Sequence, residues 1–232
     1  MLADLITLGG SVGRCRRRRW HLTLGVLLLI GASWLFGGIA EDVVTGDPLT
    51  RVDNIVAAWF HAHQSPGVTR AMQLVTALAA PAWVTGVTLA AALGLCWRRC
   101  WYRLLALVLV VPGGVVLGLL LKLAFQRQRP SFADSLVSFN GYGFPSGHTM
   151  AATLLYGVLA AFALLTLHAW RWRVWAVLGA CWVVLLVGLS RVYLGAHFLS
   201  DVLGAAAAGL AWLVLCLTAV DASRLSRKRV VG

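Results

Sequence analysis

Six apolar segments, each close to the length of a membrane span, constrain this chain more than any other feature of its sequence. A helix rises 1.5 Å per residue, so about 20 apolar residues cross the hydrocarbon core of a bilayer. The segments are Leu22 to Ala40, Ala71 to Leu95, Leu104 to Leu121, Met150 to Leu167, Val174 to Leu189 and Phe198 to Val220. Only 12% of the 232 residues are charged, which is too few to cover a soluble domain. We therefore predict an all-α, polytopic membrane protein with six transmembrane helices.

The basic residues indicate how these helices are oriented. Fourteen of the 20 Lys and Arg residues fall in four clusters: the segment 14–19, the connections 98–103 and 171–173, and the C-terminal tail. A net charge of +12 can indicate nucleic-acid binding, but short clusters between apolar runs are typical of membrane topology, so we expect no nucleic-acid partner. Positive connections stay in the cytoplasm. Six spans then place both termini in the cytoplasm of a protein of the inner (plasma) membrane.

The rest of the sequence contains few further structural signals. A run of about 19 apolar residues after the basic start exceeds a signal-peptide core of roughly 7–15, so we expect the first span to be retained. After it, apolar residues recur at helical spacing between Val52 and Phe60, whereas Asp53 and Asn54 fall elsewhere, which predicts a short amphipathic helix in the outer interface. Pro81 and Pro112 predict kinks. No repeat or second domain is evident, so residues 1–232 are predicted to form one domain.

Four cations depart from this charge distribution. Lys122, Arg127, Arg129 and Arg191 lie beside the membrane on the side that the rule disfavours, and cations there require a functional explanation. They occur in two of three polar stretches at the predicted outer boundary. The stretches run from Lys122 to Pro130, from Pro145 to His148 and from Ser190 to Asp201.

These stretches resemble the three-part signature of the type 2 phosphatidic acid phosphatase superfamily, also called PAP2. The pattern is Lys, six residues, Arg-Pro; then Pro-Ser-Gly-His; then Ser-Arg, five residues, His, three residues, Asp. Every defining position is met between Lys122 and Asp201. The resemblance implies a membrane lipid phosphatase similar to phosphatidylglycerophosphatases and undecaprenyl diphosphate phosphatases, with its site on the non-cytoplasmic face. Substrates known in the superfamily also include phosphatidic acid and lipid A.

The residues themselves predict an anion site. Lys122, Arg129 and Arg191 supply three cations, and arginine offers paired donors to phosphate oxygens. Ser146 and Gly147 immediately precede an apolar helical run, so they should cap its N-terminus, where free N–H groups and the helix dipole bind anions. We predict that these five residues bind the phosphate.

Two histidines and a carboxylate complete the predicted chemistry. His197 and Asp201 are four residues apart, so they should share one helix face, with the carboxylate holding one imidazole nitrogen protonated. His197 is then predicted to be the nucleophile, giving a phosphohistidine, with Asp201 as its orienting partner. His148 is predicted to protonate the leaving oxygen and later to activate water. The resemblance implies the same roles.

No metal and no cofactor are expected. Asp201 and Asp134 are the only carboxylates near the motifs, too few for a Mg²⁺ site, and Cys96 with Cys100 has no companion ligands. Two other functions stay open. One is a phosphotransferase that passes the phosphate to a second lipid, and the other is a non-catalytic lipid-binding or transport protein. Haloperoxidases of the superfamily are soluble, so six spans disfavour that activity.

Overall fold

The structure, a computed structural model, describes residues 2–46, 48–131 and 141–230, with side chains for residues 23–46, 49–131 and 141–224. Within these ranges the chain forms eight helices and no strand. They are α1 (Leu2–Thr45), α2 (Pro48–Ala62), α3 (Pro66–Ala77), α4 (Pro81–Trp97), α5 (Trp101–Phe125), α6 (Gly147–Thr166), α7 (Trp170–Tyr193) and α8 (Leu199–Val230).

Six segments of the described chain are long and apolar enough to cross a membrane, which confirms the predicted fold class. They are Thr23–Thr45, Pro66–Trp97, Trp101–Phe125, Gly147–Thr166, Trp170–Tyr193 and Leu199–Arg224. All six are longer than the apolar runs, because the helices continue through flanking residues. The fifth gains most, since Trp170 and Trp172 extend its start. Both rings are exposed, as is typical of side chains at the membrane interface.

The second span is broken rather than merely kinked at its proline. Pro81 is the first residue of α4, and a turn at residues 78–80 separates it from α3. A break at membrane depth frees backbone groups that need partners. The Tyr156 hydroxyl donates to the Leu78 carbonyl over 2.9 Å and accepts from Trp83 Nε1 over 3.1 Å. By contrast, α5 continues through Pro112.

The main core lies between α5, α6 and α8. Leu107 and Val110 of α5 pack with Leu154 and Leu155 of α6, and all four side chains are fully buried. The facing part of α8 is a run of small residues, from Gly204 to Gly209. Small residues allow helix backbones to approach closely. The core therefore fixes α6 and α8, the two helices that begin at the predicted site.

A second, aromatic cluster attaches α1 to the segment that enters α6. Phe144 is fully buried and stacks on Phe36 of α1, with ring centroids 5.9 Å apart, and meets Phe125 of α5 edge-on at 4.9 Å. Ile39 packs against the same cluster. Phe144 directly precedes Pro145 and Ser146, so this cluster fixes the position of the second motif.

The predicted amphipathic helix exists as α2, but one of its polar residues points the opposite way. The sequence pattern placed Asp53 outside the apolar stripe, whereas the structure buries it completely against the start of α8. The pattern was wrong at this residue because the carboxylate has buried partners that periodicity does not reveal. Those partners belong to the predicted site.

Candidate active site

The three motif stretches meet at one end of the helical bundle. The first leaves the end of α5, the second enters α6, and the third joins α7 to α8. Backbone hydrogen bonds connect them, because Gly143 N donates to the Arg127 carbonyl over 2.7 Å and Ser146 N donates to the Asp201 carbonyl over 3.0 Å. These bonds connect the first stretch to the segment leading into the second, and the second stretch to the third.

His197 and Asp201 form a buried pair, but they do not share a helix. The predicted common helix face is wrong, because α8 begins only at Leu199 and His197 lies in the preceding turn. That turn is closed by the Arg191 carbonyl, which accepts from Ala196 N over 3.0 Å. Asp201 Oδ2 lies 3.4 Å from His197 Nδ1. The pairing is therefore made across the start of α8.

The other ring nitrogen of His197 faces the cations. Nε2 lies 3.5 Å from a terminal nitrogen of the Arg129 guanidinium. Arg129 is held by its Nε, which donates to the Gly141 carbonyl over 2.9 Å, and by a bond to the Ala196 carbonyl of 3.1 Å. Nε2 is thus the nitrogen that opens toward an anion site.

Lys122 and Arg191 lie around the same position. Lys122 Nζ donates to the Tyr142 carbonyl over 2.8 Å, so Gly141 and Tyr142 of the connecting loop both contact the cations of the first motif. Arg191 is 5% exposed and donates to Thr76 Oγ1 of α3 over 3.2 Å. The break in the second span therefore brings α3 to the site as well.

His148 completes the group on its other side. It is half-buried in the first turn of α6, and the charges of Arg191, Arg129 and Lys122 all act on it. His197 also acts electrostatically on His148. The two histidines therefore lie near one cluster of positive charge.

The N-terminus of α6 opens toward the same cluster. Ser146 is the N-cap residue, as predicted, and is fully buried, with its hydroxyl accepting from Thr149 Oγ1 over 3.1 Å. Gly147 is exposed, and a Cβ at this residue would lie 3.9 Å from the Lys122 side chain. Backbone N–H groups at a helix start bind anions because they have no partner within the helix.

Burial determines the protonation of the proposed nucleophile. It lowers the pKa of His197 to about 4, against the hydrogen bond and the charge of Asp201, which raise it. The imidazole is therefore neutral at pH 7, with an electron pair on one nitrogen. Burial also lowers the pKa of Arg129, although Asp201 opposes this shift. An arginine guanidinium stays charged at neutral pH in any case.

Two residues of this region have contacts that sequence reasoning did not assign. The sequence marks Arg127 only as one of four cations on the disfavoured side, and Asp53 only as a polar residue of an amphipathic helix. In the structure the Arg127 guanidinium donates to Asp201 Oδ1 over 2.6 Å and to Asp53 Oδ2 over 2.8 Å. The unusual location of Arg127 was a usable signal, whereas Asp53 gave none.

Among the residues that the structure describes, no group of three or more His, Cys, Asp or Glu side chains could hold a metal ion. Asp134, the second carboxylate near the motifs, lies outside the described residues. His63, which directly follows α2, donates from Nδ1 to the Trp59 carbonyl over 2.8 Å, and its ring stacks on the Trp59 indole.

The three motifs and their surrounding helices match a known family. The model of the PAP2 superfamily matches residues 101–225, a range that includes all three motifs. This chain belongs to the PAP2 superfamily. The resemblance inferred from the motifs is therefore confirmed, and the chain is a multi-pass membrane protein.

Two kinds of curated relative are similar to part of this chain. Phosphatidylglycerophosphatase B of Bacillus subtilis is 42% identical over 117 residues, which cover 49% of this chain and 56% of the relative. Lipid A 1-phosphatase of Rhizobium johnstonii is 41% identical over 114 residues, covering 45% of this chain and 42% of the relative. This chain thus spans about half the length of the curated relatives that it matches.

Two solved structures extend the likeness to most of the fold. A transmembrane PAP2 type phosphatidylglycerolphosphate phosphatase from Bacillus subtilis superposes with a TM-score of 0.70 at 30% identity, covering 83% of this chain and 94% of that one. LpxE from Aquifex aeolicus gives a TM-score of 0.55 at 22% identity, covering 72% of this chain and 94% of that one, and shows the shared fold alone.

Proposed function

We propose that this protein is a metal-independent lipid phosphatase that works through a phosphohistidine at His197. The observation that carries this proposal is the orientation of the His197 ring, with Nδ1 3.4 Å from Asp201 and Nε2 3.5 Å from Arg129. A ring that only bridged a structural pair would not need a second nitrogen directed at cations. The remaining site residues fit around that nitrogen.

In the first step, His197 Nε2 attacks phosphorus as the bond between phosphorus and the leaving oxygen breaks. His148 gives its proton to that oxygen. The transferred phosphoryl group carries charge on its equatorial oxygens, and Lys122, Arg129 and Arg191 neutralise it. Ser146 and Gly147 at the start of α6 add backbone N–H donors. Asp201 stabilises the positive charge that the ring gains.

In the second step, water attacks phosphorus and the bond to Nε2 breaks. His148, now neutral, accepts the proton of the water. The products are inorganic phosphate and neutral His197, and the proton on His148 is available for the next cycle. The cycle needs no metal, because the protein's own cations neutralise the phosphate.

An apolar cavity supports a lipid substrate. It has a volume of about 280 Å³ and lies between α4, α5 and α6, with Lys122 and His148 at its polar end and Val84, Val115 and Leu154 along its walls. A phosphate on a lipid could reach the cations while its chain stays in this cavity and the bilayer. We propose that the substrate enters sideways between these helices.

The names of the relatives support a lipid phosphate as the substrate. Their names refer to phosphatidylglycerophosphate and to the 1-phosphate of lipid A. We propose a phosphomonoester or pyrophosphate of a membrane lipid, with undecaprenyl diphosphate tested first and phosphatidic acid included. By the positive-inside rule, the site lies on the outer, periplasmic side of the plasma membrane.

A direct test measures phosphate release and the covalent intermediate together. Purified protein is given ³²P-labelled lipid phosphates, and parent, His197→Ala and His148→Ala are quenched and mapped. His197→Ala should form no phosphoenzyme and lose activity by about 10⁶, as nucleophile loss does in other covalent enzymes. His148→Ala should lose about 10² to 10⁴ on lipid substrates. With an aryl phosphate, which needs little protonation of its leaving group, it should accumulate phosphohistidine at residue 197.

The outcomes separate the remaining alternatives. Label at residue 148 in His197→Ala would reverse the two roles. Transfer of label to an added lipid, without free phosphate, would indicate a phosphotransferase. Binding of every lipid phosphate with no release and no phosphoenzyme in the parent would indicate a non-catalytic lipid-binding protein.

A further inference from the structure

The buried guanidinium of Arg127 joins Asp201, the partner of the proposed nucleophile, to Asp53 of α2. Arg127 donates to Asp201 Oδ1 over 2.6 Å and to Asp53 Oδ2 over 2.8 Å, and both carboxylates are fully buried. The Phe198 ring covers the guanidinium, with its centroid 4.7 Å from Cζ. Arg127 is itself only 12% exposed. These three charges are therefore largely removed from water.

The bridge leaves Asp201 one orientation. Oδ1 faces Arg127, whereas Oδ2 accepts from Phe198 N over 3.0 Å and faces His197 Nδ1. A rotation of the carboxylate would break both sets of contacts at once. Because the carboxylate cannot rotate, the imidazole that it meets is held in one plane, with Nε2 toward the cations.

Asp53 fixes the other end of the bridge and the start of α8. Its Oδ1 accepts from Ser200 N over 2.8 Å, and its Oδ2 accepts from the Ser200 hydroxyl as well as from Arg127. Ser200 directly precedes Asp201, so Asp53 restrains the backbone that carries the orienting carboxylate. A carboxylate at a helix N-terminus is also stabilised by the helix dipole.

The charge of the cluster suits the proposed chemistry. Two carboxylates and one guanidinium sum to one negative charge beside His197. When Nε2 becomes bonded to phosphorus, the ring carries a positive charge, and the cluster then becomes neutral overall. Burying charges is costly unless they are paired and hydrogen-bonded. A lone Asp201 could orient the ring, but it would lack the partners that fix its own geometry.

We propose that Arg127 and Asp53 are positioning residues for the phosphoryl-transfer step, acting on His197 through Asp201. This inference rests on the proposed function. Neither residue is assigned to the phosphate, which is bound by Lys122, Arg129 and Arg191. Loss of either should therefore lower kcat and leave KM nearly unchanged.

The test is a double-mutant cycle between Asp53→Asn and Asp201→Asn. Asp53→Asn keeps the shape of the side chain and an acceptor for Ser200 N, but its amide cannot accept from Arg127. We expect kcat per folded molecule to fall about 10- to 100-fold, the usual effect of losing a partner that orients a reactive group. KM should stay within about threefold, since binding of the phosphate is unaffected. In the Asp201→Asn background, Asp53→Asn should lower kcat by less than about threefold, because coupled residues are not additive.

One further variant and two controls make the measurement decisive. Arg127→Lys keeps the charge, but an ammonium group lacks the planar set of N–H donors that binds both carboxylates. It should therefore show the same loss in kcat, and it provides the test even if Asp53→Asn does not fold. Glu41→Gln removes an exposed carboxylate of α1, and Arg51→Lys changes an exposed cation of α2. Both controls should retain the parent kcat.

The outcomes distinguish this inference from the proposed function. If the parent forms phosphohistidine at residue 197 while Asp53→Asn and Arg127→Lys keep its kcat, the positioning role is wrong and the phosphatase proposal stands. Equal losses in kcat in both backgrounds of the cycle would also overturn the role, because Asp53 would then act independently of Asp201. A parent with neither phosphate release nor phosphoenzyme would overturn both.

Discussion

The two ring nitrogens of His197 lie in opposite electrostatic surroundings. Nδ1 faces a buried carboxylate at 3.4 Å, and Nε2 faces a guanidinium at 3.5 Å. An N–H is favoured on the first nitrogen and an electron pair on the second, since each matches the charge that it meets. In the proposed mechanism, this asymmetry would leave the electron pair of a neutral histidine directed at the phosphate while cations surround it.

The pH dependence of activity should reflect this burial. Because the pKa of His197 is lowered to about 4, its neutral form persists as the pH falls below 6.5, the usual value for histidine. We expect the acid limb of kcat/KM that belongs to His197 to appear only as the pH falls through about 4. Asp201→Asn removes the groups that raise this pKa, so the limb should move to lower pH.

The measurement is a pair of profiles of kcat/KM, for the parent and for Asp201→Asn on the same substrate. The ionisation of the substrate phosphate is common to both, so the difference between the profiles reports the enzyme. A limb that moved to higher pH in Asp201→Asn would show that the carboxylate does not act on the His197 proton as proposed.

The three cations also predict how inhibitors act. Lys122, Arg129 and Arg191 neutralise the phosphate in the proposed mechanism, so a chelator should leave turnover nearly intact. Vanadate should inhibit competitively, because its trigonal bipyramidal adduct resembles the transition state of phosphoryl transfer. Phosphate release in the presence of EDTA or vanadate provides the measurement. Activity that EDTA abolished and a divalent ion restored would require a metal-dependent mechanism.

At the level of elements, α8 packs closely against Phe144, the residue that precedes the second motif. A Cβ at Gly204 would lie 2.5 Å from a ring carbon of Phe144, which is fully buried against α1. We expect Gly204→Ala to destabilise the protein by about 1 to 3 kcal/mol, the usual cost of overpacking. Activity per folded molecule should fall too, because Phe144 positions Pro145 and Ser146.

Gly179→Ala is the matched control for this substitution. Gly179 lies in α7 with no atom within 4 Å of an added Cβ, so the same chemical change meets open space. Thermal unfolding of both variants in detergent, followed by the loss of the monodisperse peak, measures the difference. Equal unfolding midpoints for the two variants would show that the Phe144 ring moves aside without a loss of stability.

For the whole molecule, the charge distribution predicts how the bundle lies in the membrane. The basic connections at 98–103 and 171–173 lie at the end opposite to the three motifs. Positive segments stay in the cytoplasm. Alkaline phosphatase fused after Gly141 should therefore be active, and a fusion after His168 or at the C-terminus should be inactive. An active fusion at the C-terminus would overturn both the six-span topology and the outward-facing site.

The sequence alone determined the features that depend on composition and local spacing. Apolar runs near 20 residues are sufficient to specify spans, because backbone groups in a bilayer must be satisfied within the helix. Motif residues at successive helix ends, such as Lys122 and Ser146, fall at one end of the bundle because antiparallel spans alternate direction. The family followed from the spacing of polar residues within three short stretches.

Only the tertiary structure decided which polar groups pair across the chain. It placed His197 in a turn rather than on α8, divided the second span at Pro81, and buried Asp53 against Arg127, 74 positions away. Periodicity reports whether a residue lies on an apolar face, and Asp53 falls off that face, so it resembled a solvated side chain. A carboxylate is buried only where a cation and N–H donors converge on it. That convergence depends on the packing of α2 against α8, which local spacing does not specify.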